Sequence, residues 1–403
     1  MRLKGPLRVA LEQKGGNLPI YTKKSHFPFS AKTLFDWHEK EGAFERLTPP
    51  WEKVELLRRD PSLEVGSELH LKLKKGPLFF KWIAKHTEYS PTDHFTDVQI
   101  KGPFRKWIHY HSIQQISEKR SILEDRIDFI PPFGLRVGKV EEMLDQMFNY
   151  RHAQLRNDLE ALRHSHTTGR NIGIINGEAY LTVPLASFLR TAGHRVALLK
   201  NIKSISEEKL DDLIYFNPWK QNLDQLQFSS HPPKNLISII QPEDREKEIP
   251  SYEKGEHIVV NTGHLLTSAG GLLPRVVLFF KLGLGVIGEG DSFSWIDLDS
   301  FIYRLHDLIL DEKRGKNCFL APFSPISPSQ LTNTLSAIFE CRCVYHPPKW
   351  SYPIWFGKSA TQLFSRRNES PHPPTSTHRG TATLEEALRH TLGKKKSDRE
   401  TLS

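Results

Sequence analysis

The chain has 403 residues, 38% of them hydrophobic with 8 Trp and 23 Phe, enough for two or three packed domains and too apolar for a disordered chain. Its net charge of +9 is modest for this length, and the basic residues are scattered apart from the run 394–396, so no nucleic-acid face is expected. Three cysteines, Cys318, Cys341 and Cys343, exclude a disulfide framework, and the last two alone are too few for a zinc site.

The N-terminal "MRLKGPLRVALEQKGG" has no apolar signal core. The most apolar run, "GGLLPRVVLFFKLGLGVIG", is broken by Arg275 and Lys281 and is too short for a bilayer. No membrane span is expected, and the chain reads as a soluble cytoplasmic protein. Residues 1–17, the Pro-rich "NESPHPPTSTHRG" and 394–403 read as mobile.

Along the first half, 30–40 reads as a short helix with Ser30 as its N-cap and Leu34, Phe35 and Trp37 on its apolar side. Six alternating segments follow: "WEKVELL", "SELHLKLKK", "LFFKWIAKH", "HFTDVQIKG", "KWIHYHSI" and "ILEDRIDFI". Turns fall at Pro61, Gly66, Gly76-Pro77, Pro91 and Gly102-Pro103. Residues 140–162 then read as one long helix whose stripe is Met143, Met147, Tyr150 and Leu155. This order predicts an α+β unit, a curved antiparallel sheet around a long helix with a cavity between them. Phe80, Trp82, Ala84 and His86 share one face of their strand, opposite Lys81 and Lys85, and that face should point inward. Core packing alone would explain it. Asp97 and Gln99 share a face with Phe95; turned inward, they need partners, in a ligand or in a structural network. Trp107, His109 and His111 alternate on one face. The two histidines invite a metal, but no Cys or carboxylate at ligand spacing completes a set, so a buried polar pair is the favoured reading and no metal site is expected.

Residues 163–171, "RHSHTTGRN", read as a linker. Strands at 172–175, 196–199, 213–216, 236–240 and 258–261 then alternate with helical segments, which predicts an α/β domain on a parallel sheet with helices on both faces. Its opening unit, "IGIINGEAYLTVPLASFLRTAGHRVALLKN", has the rhythm of a dinucleotide fold, in which glycines bring backbone N–H groups against a pyrophosphate. Only Gly177 stands in the first turn.

The segments "FPFSAKTLFDWHEKEGAFERLTPPWEKVELL", "FTDVQIKGPFRKWIHYHSI" and "MFNYRHAQLRNDL" resemble the START-like (SRPBCC) ligand-binding superfamily, in the branch fused to epimerase-like proteins. That resemblance covers 18–162 and implies a helix-grip fold holding an apolar or amphipathic small molecule. Phe80, Trp82, Asp97, Gln99, Trp107, His109 and His111 would line the site. The segments "VNTGHLLTSAGGLLPRVVLFFKLGLGVIGEGDSFSWIDLDSFIYRL", "FLAPFSPISPSQLTNTL" and "TATLEEALRHTL" resemble the atypical epimerase branch of the extended short-chain dehydrogenases, implying a Rossmann-like domain over 172–345 and a small extension over 346–393. Proteins of this fused kind are often labelled cell-division inhibitors or nucleoside-diphosphate-sugar epimerases.

That branch uses a G-x-x-G-x-x-G turn. Registered from the strand, its positions hold Gly177, Tyr180 and Val183; registered from the helix, Asn176, Ala179 and Thr182. Lys200 ends the second strand, where it could meet a 2′-phosphate or simply be solvated. The family's Tyr-x-x-x-Lys pair matches only "YHPPK", whose prolines forbid the helix that makes the spacing meaningful. Between the fourth and fifth strands, where the catalytic helix belongs, stands only "QPEDREKEIPSYEKGEH". The expectation is a pseudoenzyme half with no catalytic residues and no cofactor, joined to a ligand-binding half. The rival is an active NADP-dependent epimerase or oxidoreductase using Gly177 and Lys200. A third reading makes the chain a scaffold whose Rossmann half binds a protein partner.

Overall fold

The computed structural model describes residues 18–163, 168–200, 209–217, 232–244, 247, 249, 251–286, 290–311, 315–321, 324–343, 345, 348–351 and 383–394. Residues 1–17, 368–380 and 395–403, expected to be mobile, lie outside them, as do 164–167 of the expected linker. By contacts the chain forms two units, Met1–Glu39 with Lys53–Phe148, and Lys40–Glu52 with Asn149–Ser403.

The first unit is a seven-stranded antiparallel sheet in the order β1-β7-β6-β5-β4-β3-β2. Its strands are β1 Ile20–Phe27, β2 Lys53–Arg59, β3 Glu68–Lys75, β4 Leu78–Ser90, β5 His94–Lys101, β6 Lys106–Ser117 and β7 Arg120–Ile130. All six alternating segments are strands, and β1 joins them by pairing with β7. Register shifts in β4, between Ile83 and Ala84 and again between His86 and Glu88, mark bulges, which bend a sheet. Helix α1 (Ala31–Glu39) starts where Ser30 Oγ accepts from Thr33 N at 3.1 Å, so Ser30 does cap it. The long helix α3 (Val137–Leu162) lays Val140, Leu144 and Phe148 against Tyr21, Trp107, Ile127 and Phe129 of the sheet. Of the expected stripe, Tyr150 and Leu155 are buried and Met147 packs against this core, while Met143 is 40% exposed and Leu144 beside it is buried instead.

The second unit holds a six-stranded parallel sheet in the order β15-β12-β11-β10-β8-β9. Its strands are β8 Asn171–Ile175, β9 Arg195–Leu199, β10 Asp212–Phe216, β11 Asn235–Ile240, β12 Glu256–Thr262 and β15 Asn317–Leu320. The strands β13 (His264–Leu266) and β14 (Trp295–Asp297) pair separately. Helices α4 (Ala179–Thr191) and α6 (Leu298–Leu310) cover one face of the sheet through Leu185, Phe188, Phe301 and Leu305. Leu213, Tyr215, Leu236 and Tyr252 pack on the other face. A separate core joins α5 (Leu273–Lys281), α7 (Pro328–Phe339) and α8 (Leu384–Leu392).

The short helix α2 (Ala43–Leu47) belongs to this second unit for identifiable reasons. Arg46, its side chain 2% exposed, grips Asp158 of α3 with two bonds of 2.8 and 2.7 Å and reaches Asp299 of α6 at 2.6 Å. Tyr303 donates to Asp158 at 2.6 Å, and Gln154 donates to it at 2.8 Å. Gly42, at φ +91°, has no room for a side chain: a Cβ would stand 2.2 Å from the Ser187 carbonyl oxygen. By contacts the division falls inside α3 and around 40–52.

Candidate functional site

The inward face of the first sheet carries a compact polar group. Cross-strand register sets it: Asp97 on β5 lies opposite His109 on β6, and His111 lies opposite Asp125 on β7. His109 Nε2 is 2.9 Å from Asp125 Oδ1, and His111 Nδ1 is 2.7 Å from the same oxygen, though off the hydrogen-bond direction. The opposite ring nitrogens face Asp97: His109 Nδ1 and His111 Nε2 stand 3.4 and 3.5 Å from its Oδ2. The two imidazoles overlap at 3.7 Å between centroids.

Apolar rings enclose the group. Phe95 stacks on His111 at 4.1 Å, and Phe148 meets His109 edge-on at 5.3 Å. His38 of α1 reaches within 6.3 Å of the His111 ring while holding the Leu34 carbonyl at 2.7 Å. Burial alone would push the His109 imidazole down, but its bonds to Asp125 and Asp97 outweigh that and raise its pKa. Burial alone would raise Asp97, yet the His109 and His111 bonds hold it well below the usual carboxylate range. His86 lies opposite Asp97 on β4, and burial lowers its pKa against the pull of that carboxylate.

The structure brings five of the seven expected ligand residues into contact in two groups. Asp97, His109 and His111 form the polar cluster. Trp82 meets Trp107 edge-on at 5.2 Å, with Phe104 beside both, and Trp107 reaches His109 at 6.2 Å. Phe80 is half-buried on the same strand as Trp82. Gln99 is occupied elsewhere: it donates to the Phe104 carbonyl at 2.7 Å and accepts from the Phe104 amide at 3.2 Å, clamping the β5–β6 turn. Asp125 was missed. Its signal was present in "ILEDRIDFI", where a carboxylate alternates with Leu123 and Ile127 on a face that is otherwise apolar. An open depression of about 720 Å³ lies nearby on Ala31, Lys32, Thr92, Asp93 and Ser112–Gln115, and none of the expected residues lines it.

In the second unit the strand order reverses between β8 and β10, so the crevice of a dinucleotide fold would open beyond Ile175 and Phe216. The turn there does not fit a pyrophosphate. Glu178, exposed, is the N-cap of α4 and puts a carboxylate where the helix N-terminus would draw an anion. The Tyr180 ring packs on Gly270, where a Cβ would come within 2.4 Å of it. Gly177 serves packing: a Cβ would stand 2.2 Å from Thr182 Cγ2 and 2.8 Å from the Phe216 ring. Val183 is 41% exposed, and Lys200 is exposed at the end of β9. Between β11 and β12 the described residues carry only the 3₁₀ turn Pro242–Asp244. Tyr345 stacks on Phe279 at 5.8 Å, and Lys349 begins a separate 3₁₀ turn, so this pair shares no helix; 346–347 lie outside the described residues.

Residues 27–153 match the family described as polyketide cyclase / dehydrase and lipid transport. The fold is similar to that of the nucleoside-diphosphate sugar epimerase from Corynebacterium glutamicum, at 20% identity and a TM-score of 0.64 over 94% of this chain and 92% of that one. The human epimerase family protein SDR39U1 (isoform 2), solved with NADPH, aligns over 55% of this chain and 98% of its own at 16% identity and a TM-score of 0.44. A START superfamily protein from Mycobacterium smegmatis aligns over 36% and 98% at 16% identity and a TM-score of 0.30. No curated protein matches the chain. The molecule thus joins a START-like segment to an epimerase-like fold, the fusion expected from its motifs. No described helix is long and apolar enough to cross a membrane.

Proposed function

We propose that the START-like part binds an apolar or amphipathic small molecule, and that the epimerase-like part binds no dinucleotide and catalyses no epimerisation. One observation carries the first half: the aromatic wall of Trp82, Phe104 and Trp107 runs directly into the buried Asp97, His109 and His111. A mostly apolar wall with a few convergent polar groups is the common form of a small-molecule site. The lipid transport and cyclase description of the matching family suits such an occupant. Trp107 packs in one cluster with Val140, Leu144 and Phe148, so an occupant must part α3 from the sheet.

Native mass spectrometry of the full chain after mild extraction tests this. The expected result is a co-purifying apolar compound that, added back, alters tryptophan fluorescence in the wild type and not in a Trp82→Phe/Trp107→Phe variant. A chain that carries nothing and responds to no fatty acid, sterol or aromatic polyketide would refute it.

The second half rests on Glu178 and Tyr180 in the α4 turn and on the lack of a helical Tyr-x-x-x-Lys pair among the described residues. The rival, an active NADP-dependent enzyme, is favoured by the fold likeness alone. Fold does not fix function. Calorimetric titration with NADPH separates the two.

A further inference from the structure

The polar cluster has a tight side and a loose side. On the Asp125 side both imidazoles lie 2.7–2.9 Å from one carboxylate oxygen. On the Asp97 side the separations are 3.4 and 3.5 Å, beyond ordinary hydrogen bonds. Two donors bound to one metal at about 2.0–2.2 Å, with tetrahedral or octahedral angles, stand about 3.0–3.5 Å apart. The loose side therefore has the spacing of donors around an ion, and the ligand atoms of Asp97, His109 and His111 all lie within 4.8 Å of one another. On the tight side Asp125 holds His109 Nε2, the far nitrogen of that ring, as an outer-shell carboxylate does, and so fixes which nitrogen of His109 faces the metal.

We propose that Asp97 Oδ2, His109 Nδ1 and His111 Nε2 bind a divalent transition-metal ion, with Asp125 as the outer carboxylate that orients the His109 ring. Two imidazoles and one carboxylate suit zinc or ferrous iron better than magnesium or calcium. Three protein ligands leave a coordination position for an oxygen of water or of a bound small molecule. Sequence pattern names Asp97, His109 and His111 singly but does not join them, because Asp97 and Asp125 come from β5 and β7, on either side of β6.

The test uses the full chain, stripped with chelator and dialysed against Zn²⁺ and, separately, Co²⁺. The expected result is one equivalent per chain, a cobalt spectrum typical of nitrogen and oxygen ligands, and loss of stoichiometric binding in Asp97→Ala and His109→Ala. Asp125→Asn should weaken affinity by about 10- to 100-fold, as outer-shell changes do. A Cys341→Ser/Cys343→Ser variant should bind as the wild type does. Circular dichroism confirms that each variant is folded, and His111→Gln serves where an alanine variant is not. No binding by folded wild-type chain at micromolar Zn²⁺ overturns the proposal. So does binding that survives Asp97→Ala with His109→Ala, or that vanishes with the cysteines.

Discussion

Arg46→Met should destabilise the second unit more than any surface change. Among the described residues the guanidinium is the only cation within bonding distance of Asp158, and it shares Asp299 with His390, which lies 3.4 Å from the other oxygen of that carboxylate. The Asp158 side chain is 0% exposed and that of Asp299 is 17% exposed. Burial would raise Asp299, yet Arg46 and His390 hold it well below the ordinary carboxylate range. Without the guanidinium, the fully buried Asp158 carboxylate loses its cation and the partly buried Asp299 keeps only His390. Removing one partner of a buried pair costs about 3–5 kcal/mol, a large part of the roughly 5–15 kcal/mol that holds a domain folded.

Replacing both partners should be far milder. Arg46→Met with Asp158→Leu leaves no buried charge at that pair and is expected to recover most of the loss. The pH dependence should also weaken. In the wild type, Asp299 has a folded pKa below its unfolded one, so its stabilisation is present above about pH 4 and fades as pH falls. In Arg46→Met the guanidinium no longer holds this carboxylate down and only His390 does, so the loss of stability on acidification should be smaller than in the wild type. Urea unfolding followed by circular dichroism, at pH 4.5 and 7.5, reads all of this. A single variant costing under about 1 kcal/mol, or a double variant as unstable as the single, would show that the network does not anchor 40–52 and α3 to the second unit.

His306 and His194 meet at 3.1 Å through their Nε2 atoms, and burial first, then His194, pushes His306 down to about 3. The unfolded chain therefore takes up a proton that the folded one refuses, so stability should be complete above about pH 6.5 and fall by about 2 kcal/mol at pH 5; His306→Gln should be less stable at pH 7.5 but flatter with pH, and parallel curves would refute the assignment. Wild-type chain should show no micromolar binding of NAD⁺, NADP⁺ or their reduced forms by calorimetry, and Glu178→Gly/Tyr180→Gly should gain at least about tenfold for NADPH, as two obstacles to phosphate are removed. Micromolar binding by the wild type, abolished in Lys200→Ala, would instead support the active-enzyme reading.

Strands were legible wherever one face is buried. In β6, Trp107, His109, His111 and Ile113 are buried in alternation, and "KWIHYHSI" shows that period directly. The five parallel strands are nearly continuous apolar runs, and each lies within two residues of its expected position. Cross-strand register was not legible. No spacing within one strand says that Asp97 sits opposite His109, so a set built from three strands looked like an isolated histidine pair. Gln99 was taken for a ligand residue because its face was right, but its side chain is spent on the turn that follows. The grouping of Arg46 with residues more than a hundred positions away depends on a bidentate bond, which local pattern does not reveal.

Two buried charged networks sit in this chain, and their geometry separates structural purpose from functional purpose. Around Arg46 every bond to Asp158 is short, the guanidinium fork meets the carboxylate on both oxygens, and Tyr303 and Gln154 take remaining lone pairs. That arrangement is complete as it stands and needs nothing further. Around Asp97 the arrangement is incomplete. One carboxylate holds two imidazoles closely, the other faces them at 3.4 and 3.5 Å, and His111 Nδ1 lacks an aligned partner. An apolar face would stabilise the sheet as well or better, because desolvating ionisable groups costs more than loose contacts return. Buried ionisable groups with shifted pKa values and unfilled geometry are what a binding or catalytic site requires. In the second unit the opposite has happened: Tyr180 against Gly270 and Thr182 against Gly177 fill the turn with packing that is itself favourable. The turn before α4 is filled by packing, whereas the cluster around Asp97 keeps unfilled polar geometry, and this contrast is what the proposed binding role rests on.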